Sequence, residues 1–184
     1  MRIIAGQRRG LKLTAPEGLA TRPTSDRLRE ALFNILETGA PRLRGAAFLD
    51  LFAGSGAVGL EAFSRGAGPV VFVERERPAL AALRANIVRA KAEGATQVLA
   101  ADATRLGPAP RAFPFVFLDP PYGSGLLPET LTRLAARGWL AEGARVIGEL
   151  AAEEPLEPPE RFELEDERRY GAGRLVLLRL PSTS

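Results

Sequence analysis

The chain has 184 residues and a formal net charge of +3, with 46% hydrophobic and 26% charged residues, an ordinary composition for one globular domain. It contains neither cysteine nor histidine, which excludes a disulfide framework, thiolate or imidazole metal ligands, a cysteine nucleophile and a Ser-His-Asp triad. Any chemistry must therefore use carboxylates, backbone groups, aromatic rings, arginine and a bound cofactor.

The amino-terminal quarter of the chain is basic. Residues 1–44 carry nine basic and four acidic side chains, a net charge of +5, and the rest carries 16 basic and 18 acidic ones. A basic extension on a slightly acidic body is typical of phosphate binding, or alternatively of a solvated surface. Of the 25 basic residues 23 are arginine, which binds phosphate in a bidentate manner, although a GC-rich genome gives the same bias.

The first predicted elements lie in this extension. Apolar residues flank glycines over residues 1–13, a pattern typical of a short β-ribbon. A polar capping cluster at 24–26 then predicts a helix whose apolar face continues to Leu36. We therefore divide the chain into a basic extension of ribbon and helix, 1–44, and a main domain, 45–184, packed together as one structural unit.

Strands and helices alternate in the main domain. The predicted strands cover residues 47–51, 70–73, 98–101, 115–118 and 145–150. The predicted helices cover residues 57–65, 78–94 and 130–137. This alternation implies right-handed βαβ units and a parallel sheet that is covered on both faces.

The carboxyl-terminal part has a different pattern. Segments 162–169 and 175–180 flank a glycine-rich turn, which predicts an antiparallel hairpin at one edge of the sheet. Residues 151–160 are acidic and rich in proline, as expected of a surface loop. No apolar run is long enough for a signal peptide or a transmembrane helix, so we expect a cytoplasmic protein without membrane association.

The first of three motifs is a glycine-rich turn between a strand and a helix. Asp50-Leu-Phe-Ala-Gly-Ser-Gly-Ala-Val-Gly59 fits the pattern G-x-G-x-x-G. Its glycines let the backbone approach a ligand, and the helix N-terminus offers free N–H groups to an anionic group. The motif fits a dinucleotide enzyme, a methyltransferase or a tight turn without a ligand.

Acidic residues end the next two predicted strands. Glu74 is placed to accept hydrogen bonds from both ribose hydroxyls of an adenosine cofactor, or alternatively is a solvated carboxylate. Asp102 is a candidate partner for the adenine amino group, or alternatively the N-cap of a helix. Both positions face the same edge of the sheet as the glycine-rich turn.

The third motif, Asp119-Pro-Pro-Tyr122, follows the fourth predicted strand. Its prolines remove two N–H donors and stiffen the turn, so the Asp119 carboxylate and the Pro120 carbonyl remain as acceptors. Such a pocket suits a planar amino group that donates two hydrogen bonds, and Tyr122 can stack on the ring that carries this group. The alternative is a rigid turn at the end of a strand.

Together these motifs resemble the S-adenosylmethionine-dependent amino-methyltransferases of nucleic acids. The whole chain, including segments 2–13 and 22–36, resembles the RsmD-type methyltransferases of 16S ribosomal RNA. This resemblance implies a Rossmann-like class I methyltransferase fold with a seven-stranded, mostly parallel sheet. It also implies methyl transfer from S-adenosylmethionine to the exocyclic N2 of one guanine, without a metal or a covalent intermediate.

The same resemblance assigns roles to individual residues. The implied cofactor site comprises Thr24, Arg29, Asp50, Phe52, Gly54, Ser55, Gly56, Glu74, Asp102, Ala103 and Asp119. The implied transfer site comprises Asp119, Pro120, Pro121 and Tyr122. The implied RNA contacts are Arg8, Arg9, Lys12, Arg22 and Arg27. We expect a monomer that acts on RNA in the assembled or assembling small ribosomal subunit.

Alternatives remain at this stage. DNA adenine-N6 methyltransferases share the Asp-Pro-Pro-Tyr motif but normally carry a target-recognition domain, for which residues 60–118 leave no room. Protein-glutamine methyltransferases typically have asparagine in place of Asp119. A nicotinamide-dependent oxidoreductase would leave the Asp119 motif without a role, and an RNA-binding module without enzymatic activity would not need the cofactor motifs.

Overall fold

The computed structural model describes residues 1–16 and 25–181, so the predictions for Arg22 and Thr24 lie outside the described residues. The strands are β1 (Phe48–Leu51), β2 (Val70–Glu74), β3 (Thr96–Ala100), β4 (Phe113–Leu118), β5 (Leu140–Ala151), β6 (Glu163–Tyr170) and β7 (Gly173–Arg179). The α-helices are α1 (Asp26–Leu36), α2 (Ala57–Ser64), α3 (Arg77–Ala90) and α4 (Leu126–Ala136). None of the helices in these ranges has the length and hydropathy that a membrane crossing needs.

All seven strands join one sheet in the order β3-β2-β1-β4-β5-β7-β6. The first five strands run parallel, and β7 pairs antiparallel with both β5 and β6. The predicted mostly parallel sheet with a terminal hairpin at one edge is therefore confirmed. The strand order reverses between β1 and β4, and ligands of open α/β sheets bind beyond the carboxyl ends of strands at such a point.

Two hydrophobic cores lie on opposite faces of the sheet. One core packs α1, α2 and α3 against the sheet and includes Ile3 and Leu13 of the amino-terminal segment. The other packs α4 and Trp139 against the opposite face. The strands of the parallel part are buried on both sides, which explains their nearly continuous apolar sequences.

The amino-terminal segment forms the predicted ribbon in a very short form. Arg2 and Lys12 make an antiparallel bridge around a 3-10 turn at Gly6–Arg8, and backbone hydrogen bonds of 2.9 and 3.0 Å join Ile3 to Leu11 and Leu13 to Met1. The segment is also attached to the body of the protein. The buried carboxylate of Glu61, in α2, accepts hydrogen bonds from the Ile4 and Ala5 amides at 2.7 and 2.9 Å.

Two helix boundaries differ from the predictions. Helix α3 ends at Ala90 because Lys91 adopts a left-handed conformation with φ 53°, and a short 3-10 turn follows. Helix α4 begins at Leu126, four residues before its predicted start, with Pro128 in its first turn. Proline is tolerated there because the first N–H groups of a helix have no partner within the helix.

Helix α1 is capped at both ends, which attaches it to the sheet. The Ser25 hydroxyl accepts a hydrogen bond from the Leu28 amide, as the predicted capping cluster requires. At the other end the buried Arg145 guanidinium, on β5, donates to the carbonyls of Ile35 and Thr38 at 3.0 and 2.8 Å. A cation at a helix C-terminus is also favoured by the helix dipole. Burial lowers the pKa of Arg145.

Candidate functional site

A cavity of about 610 Å³ lies at the carboxyl ends of β1 to β4. Its volume is within the range of small-molecule sites. The turn after each of these strands contributes residues to the wall. The predicted site residues in the wall are Asp50, Phe52, Gly54, Ser55, Glu74, Asp102, Ala103, Asp119, Pro120, Pro121 and Tyr122. Residues predicted from three separate motifs therefore face one space.

The glycine-rich turn leads from β1 into α2 through left-handed backbone. Phe52 has φ 56°, a conformation that costs a residue with a side chain roughly 1–3 kcal/mol. Gly56 caps α2 with φ 78° and lies behind the wall instead of in it. A Cβ on Gly59 would lie 2.3 Å from the Phe72 ring. This glycine thus allows α2 to pack closely on β2.

Asp50 connects β1 to the first turn of α2. Its Oδ2 accepts a hydrogen bond from the Gly59 amide at 2.8 Å, and the side chain is almost fully buried. Burial raises the pKa of Asp50 to about 8. The hydrogen bond from Gly59 lowers this pKa, and the negative charge of Glu74 raises it further. Asp50 is therefore mostly protonated at neutral pH, and a cation bound in the cavity would favour its ionised form.

Glu74 ends β2 and fixes the turn beside it. Its Oε2 accepts a hydrogen bond from the Gly54 amide at 2.8 Å, and Oε1 accepts from the Arg75 and Glu76 amides. A carboxylate offers about four acceptor positions, so three N–H donors do not saturate it. Glu74 can both shape the glycine-rich turn and accept a further hydrogen bond from a ligand in the cavity.

Asp102 has the capping role that was the alternative at this position. Its Oδ1 accepts hydrogen bonds from the amide and hydroxyl of Thr104, at the start of a 3-10 turn. Its Oδ2 pairs with Arg75 at 3.0 Å. The Thr104 hydroxyl is the largest cause that lowers the pKa of Asp102. Asp102 is therefore an ionised wall residue whose carboxylate is oriented by its neighbours.

The turn after β4 forms the opposite side of the cavity. The Asp119 amide donates to the Leu51 carbonyl at 3.3 Å, which aligns this turn with the end of β1. Pro120 is buried and Pro121 is exposed. The Tyr122 ring is about one-third exposed, and its hydroxyl donates to Glu149 Oε1 at 3.0 Å. Asp119, Pro120, Pro121 and Tyr122 of this turn therefore line one space.

Arg29 does not line the cavity. Its buried guanidinium donates to the Arg2 carbonyl and to Asp26 Oδ1, both at 2.7 Å, and burial lowers its pKa. It therefore connects α1 to the amino-terminal segment, next to the wall residue Met1. Its contact with the methionine end of a cofactor stays a prediction.

The predicted RNA contacts are of two kinds. Arg9, Lys12 and Arg27 are exposed. Arg8 is half-buried, because its Nε donates to the Ala90 carbonyl at 2.8 Å and its guanidinium lies over the Phe63 ring. Arg8 therefore attaches the amino-terminal segment to α2 and α3, whereas the exposed cations are available to a polyanion.

Sequence reasoning missed the part of the wall that the amino-terminal segment supplies. Met1, Ala15 and Pro16 line the cavity. Asn86 in α3 holds this segment in place through hydrogen bonds to the Thr14 amide and carbonyl and to the Ser55 carbonyl. A buried asparagine on the apolar face of α3 was the one available signal, because a buried amide must find partners.

Comparison with known proteins agrees with this geometry. Residues 1–179 match the family model Cons_hypoth95, described as conserved hypothetical protein 95. Ribosomal RNA small subunit methyltransferase D of Escherichia coli is 43% identical over 85% of this chain and 77% of its own length. The Haemophilus influenzae protein of the same name is 35% identical over 93% of this chain and 89% of its own length.

A solved structure shows the same fold over the whole chain. The Escherichia coli protein yhhF, assigned as a methyltransferase, superposes with a TM-score of 0.83 at 39% identity. The match covers 100% of this chain and 99% of that one. The chain belongs to the ribosomal RNA small subunit methyltransferase D family.

Proposed function

We propose that this protein transfers a methyl group from S-adenosylmethionine to the exocyclic N2 of a guanine in small-subunit ribosomal RNA. The observation that carries the proposal is the single cavity described above. It combines a glycine-rich turn, two strand-end carboxylates and the Asp119-Pro-Pro-Tyr122 turn. The first two features suit an adenosine cofactor, and the third suits a planar amine.

The wall of the cavity fits S-adenosylmethionine, which when bound supplies a methyl group already activated by its sulfonium. Glu74 would accept a hydrogen bond from one ribose hydroxyl, for which one acceptor position remains beside the three backbone donors. Asp102 would hold the adenine amino group. The Gly54-Ser55 backbone at the start of α2 would face the carboxylate of the methionine part. The carboxylate of Asp50 would stabilise a positive charge of the bound cofactor.

The Asp119 turn would hold the target amine. The N2 lone pair of guanine is delocalised into the ring and is a weak nucleophile. Hydrogen bonds from N2–H to the Asp119 carboxylate and the Pro120 carbonyl would favour a more tetrahedral nitrogen and would orient it for attack. Tyr122 would stack on the base, which must leave its helical stack to enter. Pro121 keeps the turn rigid.

The amino-terminal extension would hold the RNA around this base. Its segment 1–16 contributes Met1, Ala15 and Pro16 to the cavity wall, and Lys12 lines a small surface pocket beside Met1. Arg9, Lys12 and Arg27 are exposed and would bind flanking phosphates. We propose the same for Arg22, while Arg8 positions the segment.

We further propose that the protein acts as a cytoplasmic monomer on the assembled or assembling small subunit. Within residues 1–16 and 25–181 the exposed large hydrophobic side chains are Val88 in α3, Tyr122 in the turn after β4 and Leu164 in β6. Single exposed apolar residues of this kind do not form the patch that an obligate protein interface needs. The surface therefore favours a polar partner such as RNA.

One labelling experiment tests the proposal. The protein is incubated with methyl-labelled S-adenosylmethionine and, separately, with unmodified small subunits, naked small-subunit RNA and duplex DNA, and the labelled nucleoside is identified by mass. We expect N2-methylguanosine from RNA, and the yield from subunits relative to naked RNA shows which form is recognised. N6-methyladenine from DNA alone would overturn the RNA substrate and leave the cofactor assignment intact.

A further inference from the structure

The turn that would hold the target amine is itself held by carboxylates from β5 and the loop that follows it. Glu149 lies near the carboxyl end of β5 and is 2% exposed. Its Oε1 accepts the hydrogen bond from the Tyr122 hydroxyl at 3.0 Å. The register pairs Leu118 with Gly148, so Asp119 and Glu149 are the next residues along two neighbouring strands.

A second carboxylate acts on the same turn. Glu154, from the acidic loop after β5, accepts a hydrogen bond from the Gly123 amide at 2.9 Å. The same oxygen accepts from the Ala151 amide at 3.3 Å, and Arg174 donates to the Glu154 carbonyl. The residue after Tyr122 is thus fixed to the end of β5. This contact gives a role to an acidic loop that the motifs left unexplained.

The arrangement has a physical consequence for the Tyr122 ring. Burial of a carboxylate costs free energy unless hydrogen bonds compensate it, so Glu149 favours the conformation in which the tyrosine hydroxyl reaches it. The ring is then held by its far end and by its backbone. The Tyr122 side chain lines the cavity, and about one-third of it is exposed.

We propose that Glu149, assisted by Glu154, is a positioning residue that holds the Tyr122 ring at the angle needed to stack on the target base. This inference rests on the proposed function, because it assigns the ring to the methyl acceptor. Glu149 itself does not line the cavity. It acts on the acceptor through the tyrosine hydroxyl.

A double-variant cycle tests this. Tyr122→Phe removes the hydroxyl and keeps the ring, and Glu149→Leu removes the acceptor. We expect each to lower kcat/KM for RNA on the order of tenfold, the effect of losing one buried hydrogen bond. Because both substitutions remove the same hydrogen bond, kcat/KM of the double variant is no lower than that of either single variant. Glu149→Gln keeps an acceptor oxygen and retains most activity. Tyr122→Ala removes the stacking ring, and we expect it to lower kcat/KM for RNA about 10- to 100-fold.

Two further measurements separate positioning from general stability. The dissociation constant for S-adenosylmethionine stays unchanged in all these variants, since the cofactor residues are not touched. Tyr170→Phe is the matched control, because the chain has only two tyrosines and Tyr170 does not line the cavity. If Glu149→Leu fails to fold, Tyr122→Phe and Glu149→Gln still decide the question.

The outcomes distinguish the inference from the proposed function. Wild-type activity in Tyr122→Phe, or losses that multiply in the double variant, would overturn the positioning role while RNA methylation stands. A wild-type protein that methylates no RNA base would instead overturn the proposed function, and the inference with it.

Discussion

At the scale of single residues, the proposed transfer depends most directly on Asp119. Asp119→Ala removes the charged acceptor for the target amine, so we expect kcat to fall by about 10²-fold or more, as for other oriented electrostatic groups in active sites. Glu74 and the glycine-rich turn remain, and S-adenosylmethionine binding should largely survive. Single-turnover methyl transfer and calorimetric titration of the cofactor measure the two effects separately.

Asp119→Asn is the companion variant. It keeps the size of the side chain and one acceptor oxygen but loses the charge, so we expect an activity between those of the wild type and the alanine variant. If cofactor binding disappears together with activity in both variants, Asp119 serves the cofactor instead of the target base.

Asp50 gives a prediction about pH. Its pKa in the folded protein is raised to about 8, above the ordinary value of 3.8. Its contribution to the free energy of unfolding is therefore fully present below pH 3.8 and is lost as pH rises toward 8. Asp50→Asn cannot ionise and keeps an acceptor for the Gly59 amide, so we expect its stability to depend less on pH across this window.

Urea unfolding at several pH values between 4 and 9 measures this effect. Asp166→Asn, in exposed strand β6, is the control and should follow the wild-type profile. Parallel profiles for the wild type and Asp50→Asn would contradict the raised pKa.

At the scale of elements, hydrophobic periodicity predicted the type and order of the main-domain helices and strands, because those segments pack on one core face or between two. The predictions were incomplete or wrong where contacts between distant parts of the chain, and not the local sequence pattern, determine the structure. The ribbon before α1 was predicted, but its attachment to Glu61, 56 or more positions away, was not. The start of α4 was predicted late because Gly125 and Pro128 are more often found in turns than inside helices.

The site was predictable to the extent that its residues end parallel strands. Glu74, Asp102 and Asp119 each follow a strand, and the parallel topology brings such positions to one edge of the sheet. The contribution of Met1 was not predictable, because no local pattern connects it to these strands. Glu149 lies near the end of a predicted strand, but its hydrogen bond with Tyr122 depends on how β4 and β5 pair, which the sequence does not show. Arg29 was assigned to the cofactor site by resemblance, and in the structure it supports the amino-terminal segment without lining the cavity.

Asn86 couples two elements of the site, the amino-terminal segment and the glycine-rich turn. Its amide contacts Thr14, 72 positions away, and Ser55, 31 positions away. Asn86→Ala leaves these buried backbone groups without partners, which costs about 1–3 kcal/mol. We therefore expect a lower free energy of unfolding and weaker binding of S-adenosylmethionine, since both walls of the cavity lose a common support.

Asn34→Ala is the matched control, because the chain's other asparagine is exposed on α1. Unfolding in urea and cofactor titration measure both variants. A loss of stability in Asn86→Ala with unchanged cofactor affinity would limit Asn86 to a structural role.

At the scale of the whole molecule, the two edges of the sheet differ in function. The carboxyl-end edge holds the cavity. Lys12 and Asp26 line a small surface pocket together with Met1, a residue of the cavity wall, so Lys12 and Arg27 lie on this side of the molecule. Arg9 does not, because the neighbouring Arg8 contacts Ser64 and Ala90 at the far ends of α2 and α3. Arg111 precedes β4 and Arg137 precedes β5, so these exposed cations mark the amino-end edge. If RNA is bound at the cavity edge, equal changes of charge at the two edges should have unequal effects.

Replacing Lys12 and Arg27 together by alanine should weaken RNA binding and reduce the slope of log K against log salt by about one to two, as expected for two lost phosphate contacts. Replacing Arg111 and Arg137 together by alanine removes the same charge from the opposite edge and should leave the slope nearly unchanged. Fluorescence anisotropy with a small-subunit RNA fragment at several salt concentrations measures both. Equal slopes for the two double variants would show that net charge, and not the position of the cations beside the cavity, governs RNA binding.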